Sequence, residues 1–294
     1  MTLLQLSYYM EVCRAKNFTH AAESLHVTQP TVTNAVRDLE AEFGVKLIQR
    51  TNKSFAVTSE GQELYDMALH LLSYAEQIKL IMADKAASQN RLYFGSPLMT
   101  SAAGFPELFR LLHQSCPEME IETQQGLTAD LLKKLDNGEL QLLLVPYKPS
   151  DAKYRYLEWR HSRFLFCVSK SHPLAEKKRV SFSDICHEPL ISYFGDVYLT
   201  TFNLAQKYLE QGAEPRIVYR CNQIGVMIDL IRNREGCGFL IEGSLGSGSG
   251  IVGIPMEEEL PVTFYLVWSR DSERYNVVKT ALKYLKKTAV SREQ

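Results

Sequence analysis

Gln29, Thr33 and Arg37 recur at every fourth residue, with Thr31 and Asn34 beside them. At that spacing they share one side of a helix, and the set is of the kind that reads base edges. Gln pairs bidentately with adenine, a Thr methyl meets a thymine methyl, and Arg reaches guanine or a phosphate. Thr28 stands one residue earlier, where its hydroxyl is placed to cap the helix, and Pro30 falls in the first turn, where its missing N–H costs nothing. Farther along, Arg50 and Lys53 are positioned to meet the backbone of a duplex. For any single one of these residues a solvated helix face is the plainer reading; the whole set favours DNA.

Such side chains need a scaffold. Small Ala21 and Ala22, with Leu25, let a short helix from Phe18 pack closely against the next one, and His26 and Val27 occupy the turn between them. Val32, Val36, Leu39 and Phe43 follow at steps of four, three and four, predicting an apolar stripe against a core. After Gly44, the runs 45–50 and 55–58 flank Thr51-Asn52-Lys53-Ser54, which predicts a small hairpin. Helix, turn, helix and hairpin together make a winged helix-turn-helix over residues 1–58, so double-stranded promoter DNA is the expected partner.

From Ser59 to about Lys85 the chain has no Pro, and Leu64, Ala68, Leu71, Ala75, Ile78 and Met82 recur in a heptad pattern. A seam sustained this long favours a paired helix, hence a dimer, over a helix docked on its own C-terminal domain. Residues 59–90 are therefore read as a dimerisation helix and hinge. Net charge is −1 and the first ninety residues are no more basic than the rest. Positive charge is local to Arg37, Lys46, Arg50 and Lys53, so affinity for DNA must come from pairing subunits.

Beyond Arg91 short apolar runs alternate with helical stretches: strands are expected at 92–94, 120–123 and 140–145, helices at 106–114 and 129–135. A second set follows, with strands at 163–168, 190–193, 216–221, 238–241 and 263–268 and helices at 201–211 and 225–232. Repeated β–α alternation implies a mainly parallel sheet with helices on both faces, and its extent fits two α/β lobes better than one.

The N-terminal stretch resembles the DNA-binding domain of LysR-type transcriptional regulators. The residues that carry the resemblance are Ala21-Ala22, Thr28-Gln29-Pro30, Leu39-Glu40, Leu47 with Arg50, and Thr58 with Gly61. It departs at Asn34, where many members carry Arg; Asn can read adenine instead. The remainder resembles the effector-binding domain of the same family through Gly95, Phe105-Pro106, Pro117, Gly126, Gly138-Glu139-Leu140, His172-Pro173-Leu174, Gly212 with Pro215, Gly236 with Gly238, and Trp268. Members often have Asp at Gln141 and a Pro-containing strand end at Glu242-Gly243; Glu242 either borders the cleft and disfavours anions or faces solvent.

The resemblance implies a two-lobed, periplasmic-binding-protein-like (type 2) effector domain over 91–294, with 91–161 and 268–294 in one lobe and 162–267 in the other. It also implies dimers, commonly paired into tetramers, and an effector bound between the lobes. Carried over by position, Ser96, Thr100, Ser101, Thr128, Thr200 and Thr201 are the expected effector contacts, with Tyr193 as a wall. Each hydroxyl has a competing role as a helix cap. Helix N-termini in such clefts favour anions, so a small carboxylate is the expected effector class. RNA polymerase is a further candidate partner.

With 294 residues, 45% of them hydrophobic, the chain can bury more than one core. No apolar run reaches about eighteen residues and no leader pattern opens the sequence, so a cytoplasmic protein without membrane contact is expected. Six cysteines lack a C-x-x-C pair or a His at metal spacing, so buried thiols are the default and neither metal nor cofactor is expected. Because some LysR-type proteins sense peroxide through a cysteine pair, Cys186, Cys221 and Cys237 are the redox candidates.

Two rival readings stay open. An enzyme built on the C-terminal α/β domain would need a site; Gly246-Ser247-Gly248-Ser249-Gly250 superficially looks like a nucleotide loop, but 251–255 does not open a helix, and no hydrolase or metalloprotease motif appears. The other is a DNA-binding protein whose cleft takes no effector.

Overall fold

The computed structural model describes residues 1–51, 54–87, 90–193, 204–246 and 248–290, in two compact units, Met1–Ala86 and Ala87–Gln294. Lys53, Thr200 and Thr201 lie outside the described residues, as does the side chain of Arg50.

In the first unit, α1 (Leu3–Ala15) starts at Thr2, whose hydroxyl accepts the Gln5 N–H while the Gln5 side chain accepts the Thr2 N–H. α2 (Phe18–Ser24) is capped by Asn17, which accepts from Thr19 and His20 N–H. Val27 N–H then closes back on the Ala22 carbonyl, and His26 takes a left-handed φ of 54° to make the tight turn. α3 (Gln29–Phe43) ends at Gly44 with φ 69°, a conformation that favours glycine. A hairpin of β1 (Ile48–Thr51) and β2 (Ser54–Val57) follows, then the long α4 (Ser59–Ala87).

Leu6, Tyr9, Val12, Phe18, Ala21, Val32, Val36 and Leu39 pack into one core with Leu47 and Ile48 from the hairpin and Ala68 from α4. Thr58 fastens the hairpin to α4: its hydroxyl donates to the Lys46 carbonyl at 2.7 Å and accepts the Gly61 N–H at 2.9 Å. A Cβ at Gly61 would overlap the Leu47 carbonyl and the Tyr9 hydroxyl, so only glycine lets the helix come this close.

Three expectations for this unit are corrected. Phe43 is 41% exposed and does not complete the core stripe, because α3 ends there and leaves the ring beyond the packed layer. Thr28 precedes α3 without a side-chain cap bond; its hydroxyl pairs with that of Thr31 at 2.8 Å. The expected α4 seam divides: Ala68 is buried and Leu64 packs beside it, whereas Leu71, Ile78 and Met82 are exposed, together with Met67 and Tyr74.

The second unit runs β3 (Arg91–Ser96), α5 (Leu98–Ser115), β4 (Glu120–Gln125), α6 (Thr128–Asp136), β5 (Leu142–Val145), β6 (Tyr154–Ser169), a 3-10 turn (Pro173–Glu176) and α7 (Phe182–Ile185). It continues with β7 (Leu190–Tyr193), α8 (Leu204–Glu210), β8 (Ile217–Cys221), α9 (Ile224–Arg232), β9 (Gly238–Ile241), β10 (Ile251–Pro255), β11 (Pro261–Ser269), a second 3-10 turn (Asp271–Arg274) and α10 (Asn276–Val290).

β3 pairs in parallel with β4 and β5, and β11 joins β5 antiparallel. The sixteen-residue β6 carries the chain from this set to the next. Its first part pairs with β11, with His161 opposite Thr263, and its second part pairs with β10 and β9. β7 and β8 form a separate parallel pair. α5 begins eight residues before the expected 106–114 helix, so Pro106 lies inside it and not at its start.

Candidate functional site

On α3 the buried arc of Val32, Ala35, Val36 and Leu39 leaves Gln29, Pro30, Thr31, Asn34 and Arg37 exposed. Thr33 does not share that face. It is 9% exposed, and its hydroxyl is 3.4 Å from the Gln29 amide nitrogen, which donates to it. At 100° per residue it sits roughly 60° from Val36, on the rim of the packed arc, where its hydroxyl orients the Gln29 amide. Pro30 brings no N–H and the Thr31 N–H donates to the Thr28 carbonyl at 3.0 Å, so among the first-turn donors only the Gln29 N–H is left to a backbone phosphate.

A residue important to this face was named in the sequence only as part of a family pattern. Glu40, near the end of α3, accepts the N–H groups of Leu47 at 3.0 Å and Ile48 at 3.3 Å and pairs with Lys46 at 2.8 Å. Burial pushes its carboxyl pKa up, but Lys46 and the two N–H donors outweigh this and hold it below the usual carboxylate range. The carboxylate thereby locks the base of the wing to the recognition helix.

Of the expected effector residues, Ser96, Thr100, Ser101 and Tyr193 lie at the ends of β3, α5 and β7. Ser96 closes β3, buried, with its hydroxyl donating to the Pro97 carbonyl at 3.2 Å. Thr100, in the first turn of α5, is fully buried with a hydroxyl that has no hydrogen-bond partner. Ser101 accepts from the Gln125 amide at 3.2 Å. Pro97 precedes α5 without any side-chain cap, so the N-terminus of this eighteen-residue helix is open.

Tyr193, at the end of β7, donates to the Asn222 carbonyl at 3.3 Å, and burial pushes its phenol up to about 12. Tyr193 and Met99, the neighbour of Thr100, line one small cavity of about 20 Å³ with Phe164, Ile191, Met227 and Phe239. That volume is about one water's worth. Sequence reasoning passed over Met99, Phe164, Met227 and Phe239 because apolar residues in strands and helices look like ordinary core.

Thr128 is the first residue of α6 and makes no cap bond; Leu127 holds the capping position. Glu242 neither borders the cleft as a free charge nor faces solvent alone: it forms a two-point pair with Arg163 at 3.1 and 3.2 Å. Gly243 beside it adopts φ 98° and runs against α5, where a Cβ would stand 3.2 Å from the Ala103 carbonyl. Gln141 is buried and accepts the Tyr93 N–H at 3.0 Å while its own N–H donates to the Tyr93 carbonyl, a role in which a carboxylate is not needed.

All six cysteines are free and buried. Burial, with Glu188 nearby, pushes the Cys237 thiol up to about 12, and burial raises that of Cys221. Among the described residues one set of potential metal ligands converges, His172, Glu188 and Cys237. No helix of the described residues is long and apolar enough to cross a membrane.

Known proteins match this arrangement from end to end. Residues 3–62 match the family of bacterial regulatory helix-turn-helix proteins of the lysR type, and residues 85–290 match the LysR substrate binding domain. The HTH-type transcriptional regulator YvbU of Bacillus subtilis (strain 168) is 25% identical over 99% of this chain and 95% of its own length. The DNA-binding transcriptional dual regulator OxyR of Escherichia coli (strain K12) is 27% identical over 65% of this chain and 63% of its own. CbnR, a LysR family transcriptional regulator solved with its target DNA, superposes with a TM-score of 0.72 at 18% identity, covering 98% of this chain and all of that one. The chain belongs to the LysR family: it is a DNA-binding transcriptional regulator with a substrate-binding effector domain, and not an enzyme.

Proposed function

We propose that two protomers present their α3 helices to successive major grooves of an imperfect palindrome, and that a small metabolite bound between two lobes of the C-terminal unit alters that presentation. The observation that carries the DNA half is the outward row Gln29, Thr31, Asn34 and Arg37 on a helix whose opposite side is packed. Gln29, Asn34 and Arg37 supply base readout, Thr28, Pro30 and Thr31 set the approach of the helix end, and Arg50 and Lys53 hold phosphates. Thr33 acts through Gln29.

The partner is a second copy. Met67, Leu71 and Tyr74 of α4 line a groove of about 810 Å³ with Phe43 and Val45, and Met67 is 65% exposed. An apolar surface of this kind on a chain of otherwise ordinary composition is an interaction face, and the heptad spacing of α4 suits a like helix. Tetramers follow when two such dimers pair. The boundaries we assign are 1–58 for DNA binding, 59–90 for the dimerisation helix, and 91–294 for the effector domain, whose lobes are 91–161 with 268–294 and 162–267. A regulator acting on promoter DNA works in the cytoplasm, with RNA polymerase as its natural further contact.

For the effector, the open N-terminus of α5 and the unpartnered Thr100 hydroxyl suit an anionic group, with Ser96 and Ser101 alongside. Met99, Phe164 and Phe239 suit an apolar body, and Tyr193 closes one wall. Thr128, Thr200 and Thr201 keep the positional assignment made above. Binding shifts the two lobes only to the extent that the ligand prefers one of their arrangements.

A thermal-shift screen of small carboxylates on the full chain tests this half, since a ligand at a hundred times its Kd adds about 2.7 kcal/mol. A hit that also changes the DNA footprint supports it. No stabilisation across a broad metabolite library would leave a DNA-binding protein without an effector.

A further inference from the structure

Three side chains unused by the DNA and effector readings meet in the C-terminal unit. His172 Nε2 lies 3.4 Å from a Glu188 carboxylate oxygen and 3.9 Å from Cys237 Sγ, and the three donor atoms fall within 4.8 Å of one another. Backbone pairing brings them there from distant parts of the chain. The Cys237 N–H donates to the Pro189 carbonyl and the Ile191 N–H to the Cys237 carbonyl, each at 2.7 Å, which fixes Cys237 beside the segment holding Glu188. Gly236 permits the approach, because a Cβ there would come within 2.9 Å of the Pro189 carbonyl and the Ile191 side chain. His172 is held at the end of β6 by its N–H to the Ser169 carbonyl at 3.0 Å.

We propose that His172, Glu188 and Cys237 form a binding site for a divalent cation of the zinc class. A tetrahedral ion with bonds of about 2.0–2.1 Å to nitrogen and oxygen and about 2.3 Å to sulfur places N and O about 3.4 Å apart and N and S about 3.5 Å apart. The first spacing is already present, the second needs a closure of about 0.4 Å from the 3.9 Å observed, and the Glu188–Cys237 spacing, within 4.8 Å, closes to about 3.5 Å as the partly exposed carboxylate turns inward. Imidazole, carboxylate and thiolate together suit zinc and its neighbours, not the all-oxygen preference of calcium or magnesium. Three protein ligands leave a fourth position for water.

A second observation points the same way. The Tyr208 hydroxyl is fully buried without a hydrogen-bond partner, and burial, with Cys237, Cys186 and Glu188, pushes its phenol up. A buried phenol without a partner is a group that an ordered water completes. The Glu188 and His172 side chains keep 30% and 16% exposure, so an ion enters past the carboxylate, with the sulfur innermost. Binding releases the thiol proton to solvent. It also moves the ring hydrogen to Nδ1, at the expense of the 3.2 Å bond that Nδ1 now accepts from the Leu174 N–H.

The test is titration of the full chain with cobalt(II) chloride under reducing conditions, followed by absorbance. The expected result is a thiolate-to-cobalt charge-transfer band with the intense visible bands of a four-coordinate ion, saturating at one equivalent and displaced by zinc. Cys237→Ser abolishes the charge-transfer band, while Cys221→Ser leaves it. Glu188→Gln lowers cobalt affinity by at least the roughly tenfold that loss of even an outer partner costs. Absence of the band in the parent chain, or its persistence in Cys237→Ser, overturns the proposal. If Cys237→Ser does not fold, unchanged affinity in Glu188→Gln overturns it alone. Neither readout requires DNA or effector.

Discussion

Replacing Glu40 by Ala removes the acceptor that joins α3 to the wing. Two backbone N–H groups, those of buried Leu47 and Ile48, lose their partner, and Lys46 loses its counter-charge. Hydrogen bonds to a charged group are each worth about 1.5–3 kcal/mol, the longer 3.3 Å contact belonging at the low end. The Lys46 ammonium is 76% exposed, so its pairing adds only about 0–1 kcal/mol. Partial access of water to the freed groups lowers the sum, which leaves a loss of about 2–4 kcal/mol for Glu40→Ala. Glu40→Gln keeps one acceptor but turns an amide N–H toward another donor, for about half that loss.

The assay is calorimetry of the full chain, together with hydrogen exchange at the Leu47 and Ile48 amides, which should accelerate in both variants. Because the folded pKa of Glu40 lies below its unfolded value, its contribution is complete above that unfolded value, about 4.3, and is lost as pH falls through the folded one. The variants should lack this acid-sensitive component. Stability within about 0.5 kcal/mol of the parent, with unchanged exchange at both amides, would refute the clamp.

Gln29→Ala and Asn34→Ala should each lower discrimination between operator and random DNA by about 1–3 kcal/mol per lost base contact, whereas Arg50→Ala should weaken both alike. Equal losses on the two duplexes for the first pair, read by competition binding, would remove them from base readout. Met67→Asp with Leu71→Asp should give monomers by analytical ultracentrifugation, since both side chains line the exposed α4 groove; an unchanged oligomer would place the interface elsewhere. Thr100→Val exchanges an unpartnered buried hydroxyl for a methyl, so the ligand-free melting temperature should hold or rise while stabilisation by a screened carboxylate disappears. Retained carboxylate stabilisation would clear Thr100 from the site.

The winged helix was legible because the signals that bound its helices are local: Pro30 falls in the first turn of α3 and Gly44 ends it, whereas the paired alanines and Thr58 with Gly61 mark longer-range packing by residue type alone. Errors arose where tertiary packing overrode spacing. Thr33 keeps step with Gln29 and Arg37 yet turns inward, because the buried arc of α3 is wider than the apolar stripe alone indicates. Phe43 fits the stripe but lies past the packed layer. The α4 heptads are real in sequence, and the structure divides them between the unit's own core and an outer face, a division no periodicity specifies.

In the C-terminal unit the Ser96–Ser101 segment was visible as a strand-to-helix junction. The cavity beside it was not, since its lining is apolar. His172 and Cys237 stand 65 residues apart and come together because β9 pairs with the end of β6, a non-local pairing that no spacing specifies.

The central claim is that α3 helices from two joined protomers enter neighbouring grooves and read bases there. Hydroxyl-radical footprinting of the full chain on DNA flanking its own gene, at moderate ionic strength with scrambled duplex as competitor, tests it most directly. The account predicts two protected patches on one face of the duplex, separated by one helical turn of about 10–10.5 base pairs or a multiple of it, and persisting against the competitor. Uniform protection, or protection abolished equally by scrambled DNA, would contradict it.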